Sequence, residues 1–153
     1  IVHPANVSMP VLGRITPYIG ALPLPSDINA TKNFIGAIDD CVKRKNAICV
    51  YPEAHIWPYF TQIRPFLDAS FRYPAETCKP VFAFTVTYHK RFLISLPRTV
   101  VYIDGPFFAD PSKKTRENQA MLRDKVYEAM CRRSIESDYS YNTYVPVEND
   151  NAD

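Results

Sequence analysis

Glycine is scarce in this chain. Four glycines stand against fourteen prolines in 153 residues, whereas average usage puts glycine ahead. The shortage leaves no G-x-G-x-x-G or G-x-x-x-x-G-K-[ST] loop, which argues against a nucleotide-binding domain. Long apolar runs are missing too: none approaches the roughly 18 residues of a spanning helix, and no stretch reads as a secretory leader. Charge of one sign is lacking. A net +2 is too small for a nucleic-acid footprint, so no nucleic-acid partner is expected. Cys41, Cys49, Cys78 and Cys131 show neither C-x-x-C spacing nor a nearby histidine pair. That makes zinc and a disulfide framework poor readings, and reduced, mostly buried thiols in a cytosolic compartment the better one. No metal and no bound cofactor are expected.

What the chain does have is proline and aromatics, among them ten tyrosines. That mix suggests stiffened, amphipathic loops. Residues 20–27, Gly-Ala-Leu-Pro-Leu-Pro-Ser-Asp, read as a brief extended segment, because a residue before proline is pushed out of the helical region. Ser26, Asp27 and Asn29 offer N-caps for a helix in which Phe34, Ile38, Cys41 and Val42 share one face. Lys43, Arg44 and Lys45 crowd its last turn, where the helix dipole favours cations. The run Ala47–Tyr51 reads as a strand, completing a strand–helix–strand unit with parallel strands. Further strands are expected over about 81–89 and 99–105, with a hairpin or wider loop between them. A long helix from Ser112 to about Ser137 carries Leu122, Val126, Ala129 and Met130 on one stripe. The expected architecture is α/β, a mostly parallel sheet flanked by helices, over residues 1–137, with a C-terminal tail at 138–153 whose last part, 145–153, is acidic, patternless and frayed.

Ligands gather outside the carboxyl ends of parallel strands, and Tyr51-Pro52-Glu53-Ala54-His55 sits at such an end. Glu53 and His55, two apart, point the same way in extended geometry, where a carboxylate and an imidazole can position a substrate or move a proton. On spacing alone, a cap and a satisfied loop histidine are the plainer account. The sequence Ile56-Trp57-Pro58-Tyr59-Phe60 reads equally as a greasy groove lining or as cover for a sheet edge.

Taken in order, several blocks resemble the lysophospholipid acyltransferase family, typified by 1-acylglycerol-3-phosphate acyltransferases. MPVLGRITPYIGALPLPSD, which contains Gly20, resembles the family's apolar, glycine-containing stretch leading to a short strand. VYPEAH resembles the Phe-Pro-Glu-Gly-Thr block, with Tyr51, Pro52 and Glu53 matching. IRPFLDASFRYPAETCKPVFAFTVTY resembles the helix and strand with a Val-Pro-x-x-Pro pattern. VYIDGPFF and LRDKVYEAM resemble the late strand end and closing helix.

The resemblance implies a glycerophosphate-acyltransferase-like fold. It also implies acyl transfer from a coenzyme A or acyl-carrier-protein thioester to a lysophospholipid hydroxyl, at the cytoplasmic face of the membrane. It nominates Glu53, Pro52, His55 and Gly20 as substrate-binding residues, with Glu53 as an acceptor-site and loop-organising group rather than the base. Arg14, Lys32 or Arg64 is offered in place of the family's phosphate-gripping arginine, Arg64 being carried as a substrate-binding candidate although no matched position supports it. The base in the family is a His with an Asp five residues on. Here Ser8, Phe60 and Ile94 follow His3, His55 and His89 at that distance, so no catalytic residue is assigned. With isoleucine at position 1, this suggests a chain that is N-terminally incomplete, beginning after the catalytic His; the alternative is a catalytically silent binding or regulatory domain. Ser26 stands where the family has a phosphate-gripping arginine, and Ala54 and His55 where it has Gly-Thr. The aromatics of 56–60 and the basic 89–92 stretch are candidates for touching lipid.

Overall fold

The computed structural model describes residues 1, 15, 18, 20–54 and 56–145, in two compact units, Ile1–Pro52 and Glu53–Asp153.

In the first unit, helix α1 spans Ile28–Lys43. Asp27 caps it: its carboxylate accepts from the Ala30 N–H at 2.8 Å, satisfying one of the donors a helix start leaves open. The far end closes as a Schellman turn. The Lys45 N–H reaches Val42 O and the Asn46 N–H reaches Cys41 O, with Lys45 left-handed at φ 58, as that motif demands. Phe34 and Ile38 are buried, from the helical face read in the sequence.

The expected strand at 47–51 does not form. Tyr51 is 72% exposed, and Cys49 O accepts from the Ile1 nitrogen at 2.6 Å rather than from a ladder. A strand exists only by pairing, and the segment assigned as its partner, residues 20–27, makes its single bridge at Pro23 with none of residues 47–51; Pro23 and Pro25 also have no N–H to give.

In the second unit, a 3-10 turn at Ala69–Phe71 leads into the short helix α2, Arg72–Thr77. Strands β1, Val81–His89, and β2, Arg98–Phe107, follow. They pair antiparallel, Phe84 opposite Ile103 and Val86 opposite Val101. Helix α3, Thr115–Ser134, closes the unit. The mostly parallel, acyltransferase-like sheet expected from the sequence is therefore corrected: among the described residues the sheet has two antiparallel strands. The reason is the joint. Residues 90–97 make a hairpin connection, whereas a parallel pair needs a crossover of a dozen or more residues.

The core lies between α3 and one face of β1. Leu122, Val126, Ala129 and Met130 pack with Phe66, Phe71, Ala75 and Ala83. Alternation along β1 puts Ala83, Thr85 and Thr87 inside and Phe82, Phe84 and Val86 outside. A bulge between Val81 and Ala83 lies against Gly105, whose φ of +130 and lack of a side chain let Val81 O approach to where a Cβ would be 2.8 Å away. The thiols also differ from expectation: Cys49 and Cys78 are exposed, and Cys41 and Cys131 only partly covered.

Candidate functional site

Pro52 and Glu53 make a turn, and Ala54 after it is left-handed at φ 62. This aims the Glu53 side chain back at its own loop. Its Oε2 accepts from the Arg64 N–H at 2.9 Å, and Arg64 Nη2 donates to the Glu53 carbonyl at 2.9 Å. The two side chains are 26% and 21% exposed, with Arg64 Nε 3.7 Å from Oε2. The Arg64 guanidinium also lies over the Trp57 ring, 4.7 Å from its centroid, a favourable stacking for a planar cation. Main chain and side chain thus clasp each other across the loop. Chemically this is a positioning device: a carboxylate committed to a backbone N–H is poorly placed to take a proton from an incoming hydroxyl.

Of the residues nominated from sequence, Glu53 and Arg64 meet. Gly20, left-handed at φ 85, and Pro52 belong to the first unit. His55 lies outside the described residues.

Behind the clasp is an aromatic cluster that spacing did not reveal. Trp57 stacks on Tyr144 at 5.0 Å and meets Phe60 edge-on at 5.0 Å. Tyr59 meets Tyr88 of β1 at 5.5 Å and Tyr141 at 4.8 Å. The Tyr144 hydroxyl and the Asn142 amide both donate to Pro58 O, at 2.7 and 3.0 Å. Residues 137–144 therefore form a strap over the 57–60 loop.

One polar chain pins the strap to β1. The Asp138 and Tyr139 N–H groups point at Tyr88 O. Asp138 accepts from the Lys90 N–H at 2.9 Å, and its other oxygen lies 3.2 Å from His89 Nδ1. The Lys90 bond first, then His89, holds the Asp138 carboxyl below its usual value. His89 Nε2 lies 2.9 Å from Thr87 Oγ1. An acid, an imidazole and a hydroxyl in this order resemble a nucleophilic triad, but Thr87 is fully buried and no substrate reaches it. The triad is a structural pin. Its members, 49 residues apart at the His–Asp step, carry no local signal that sequence reasoning could have used.

One open groove lies at the start of α1, lined by Asp27, Ile28, Asn29, Ala30 and Asn33. Another, in the second unit, is lined by Asp68, Arg72, Glu76, Thr115, Arg116 and Gln119. Glu53 lines neither. Among the described residues no cluster of His, Cys, Asp and Glu fits a metal. Compared with known proteins, the chain matches no family model, no curated protein and no solved structure.

Proposed function

We propose that the chain serves acyl transfer to a lysophospholipid hydroxyl, of the 1-acylglycerol-3-phosphate kind, from a coenzyme A or acyl-carrier-protein thioester. Its own part is to shape the acceptor site. In the reaction the acceptor oxygen bonds to the thioester carbonyl carbon and the C–S bond breaks. The thiol leaves with the proton that a base removed from the hydroxyl. Acceptor and product are lipids, so the reading puts the reaction at the cytoplasmic membrane face.

The observation that carries the proposal is the turn at Glu53. The family block that Tyr51-Pro52-Glu53 resembles has glycine next, and here Ala54 holds the left-handed backbone that glycine adopts without steric cost. The glutamate of that turn clasps Arg64, which supports a loop-organising role. The sheet lends no support, and the proposal does not rest on it. The chain has no His-x4-Asp pair, and His89 does not replace it, since its Nε2 faces buried Thr87. By itself the chain is expected to be inactive. The same absence favours the second reading, a silent binding domain.

Trp57 is the only tryptophan and lies against Arg64, so its fluorescence reports on the clasp. Titration with monomeric lysophosphatidate and with a non-transferable acyl-coenzyme A thioether should each give a saturable change, with the acceptor response weakened in Glu53→Gln. No response to lysophosphatidate overturns the reading. A response to the acceptor alone supports the silent domain, and an unchanged Glu53→Gln curve removes Glu53 from the site.

A further inference from the structure

We infer that the tip of the β1–β2 hairpin, with the aromatic end of the sheet beside it, is a docking surface for an anionic lipid bilayer. Phe92 is 98% and Leu93 86% exposed, and Ile94 and Leu96 are about half exposed. Single exposed apolar residues are ordinary, but four large ones within five positions of a loop tip are not. Burying them is favourable in proportion to the apolar area removed from water.

Charge decides what covers them. Lys90 and Arg91 precede the apolar tip and Arg98 follows it, all exposed, and no acid lies between residues 90 and 98. The nearby Asp138 is engaged by His89 and the Lys90 N–H. A basic collar around an apolar tip matches anionic head groups over acyl chains, the cations reaching up while their stems stay in the apolar layer. A second copy docked tip to tip would bring the same three cations together, which argues against self-association.

A second, independent feature lies at the same end of the sheet. Tyr88, the last strand residue but one, touches Tyr59, and Tyr59 touches Tyr141. Trp57, Tyr141 and Tyr144 are each partly exposed, and Ile56 is 90% exposed. Tryptophan and tyrosine favour the head-group level of a bilayer, where one edge is wet and the other apolar. No described helix is long and apolar enough to cross a membrane, so docking through this surface needs no spanning segment.

The inference does not depend on acyl transfer: vesicle binding requires no turnover and no lysophosphatidate, so either reading can fail while the other stands. The test is co-sedimentation of the whole chain with vesicles of phosphatidylcholine alone or containing phosphatidylglycerol. The chain should sediment with the anionic vesicles, less so at high salt, with a blue shift of Trp57 emission. Each of Lys90→Gln, Arg91→Gln and Arg98→Gln should weaken partitioning about fivefold. The double variant Phe92→Asp/Leu93→Asp, changed where nothing packs, should remain folded by circular dichroism and lose binding. The inference is overturned if the parent stays in the supernatant, or if the double variant sediments as the parent does. It falls too if the parent is a dimer that the double variant dissociates, which would make the tip a protein interface.

Discussion

Asp104 on β2 and Arg133 on α3 join the strand to the helix through a forked ion pair. Arg133 Nη2 donates to Oδ1 at 2.9 Å and Nε to Oδ2 at 3.0 Å, while the guanidinium lies over the Tyr102 ring at 4.7 Å. Asp104 is 11% exposed at its side chain, and the Arg133 hydrogen bonds hold its carboxyl below the usual range. A carboxyl whose folded pKa is depressed contributes stability above its unfolded value, about 4, and that contribution is lost as pH falls through the folded value. Asp110 and Asp138 are lowered as well and add in the same sense. The thermal midpoint should therefore hold level from neutrality down to about pH 5 and fall below about pH 4. Asp104→Asn should lower the neutral midpoint and flatten the acid slope. Arg133→Lys should recover only part of the Arg133→Ala loss, because an ammonium lacks the fork. Melts recorded across pH check this, and an acid slope unchanged in Asp104→Asn contradicts it.

Ala54 makes a prediction from backbone alone. An L-residue in the left-handed region costs roughly 1–2 kcal/mol, partly offset by the greater freedom glycine has when unfolded. Ala54→Gly should stabilise the second unit by up to about 1 kcal/mol. Ala54→Val should destabilise it by more, since β-branching crowds that region further. Denaturant midpoints decide, and a loss in Ala54→Gly would mean that the turn at Glu53 relaxes elsewhere.

What the sequence told reliably was local. The spacing of Phe34 and Ile38, the cap residues Ser26, Asp27 and Asn29, the strand-like run over 81–89 and the stripe from Leu122 to Met130 each report on a single element, and each element formed. What it did not tell was pairing. The run 47–51 looks like a strand by composition, but a strand is a relation between two segments, and 47–51 forms no bridge. The parallel unit followed from that pairing and fell with it, while the strands at 81–89 and 98–107 formed but paired antiparallel across a joint too short for a crossover. The clasp of Glu53 was half legible, through the acid and the proline-stiffened loop around it, while Arg64 was one of three cations offered, with Arg14 and Lys32, in place of the family's arginine. The His89–Asp138 contact and the packing of Tyr144 on Trp57 join segments far apart in sequence, and no periodicity records them.

Asn118 shows how a buried polar group is made tolerable. It is 4% exposed, its Nδ2 donates to Asp110 O at 2.8 Å and Lys113 O at 3.2 Å, and its Oδ1 accepts from the Asp110 N–H at 2.7 Å. The amide thereby folds the loop before α3 onto the helix. Asn118→Ala should cost about 1–3 kcal/mol, because the loop groups lose their partners. Asn118→Asp should cost at least as much, since a carboxylate cannot donate to either carbonyl. Urea unfolding measures both, and an Asp variant as stable as the parent would contradict this pairing.

Thr85 and Thr87 sit two apart on β1, facing the same way and almost fully buried, yet they should respond oppositely to valine. The Thr87 hydroxyl lies 2.9 Å from His89 Nε2 and 3.5 Å from Val100 O. Replacing it leaves Nε2 without its partner and loosens the pin that holds the strap, at a cost of about 1–2 kcal/mol. Among the described residues the Thr85 hydroxyl finds no hydrogen-bond partner, so the fold carries its desolvation with nothing in return. Thr85→Val, similar in shape and free of the hydroxyl, should be neutral or stabilise by up to about 1 kcal/mol. Trp57 stacks on Tyr144 of the strap, so its fluorescence separates the two effects. Thr87→Val should make Trp57 easier to quench with acrylamide under native conditions, and Thr85→Val should leave quenching unchanged. Equal losses of stability in both variants would mean that the hydroxyls serve packing alone.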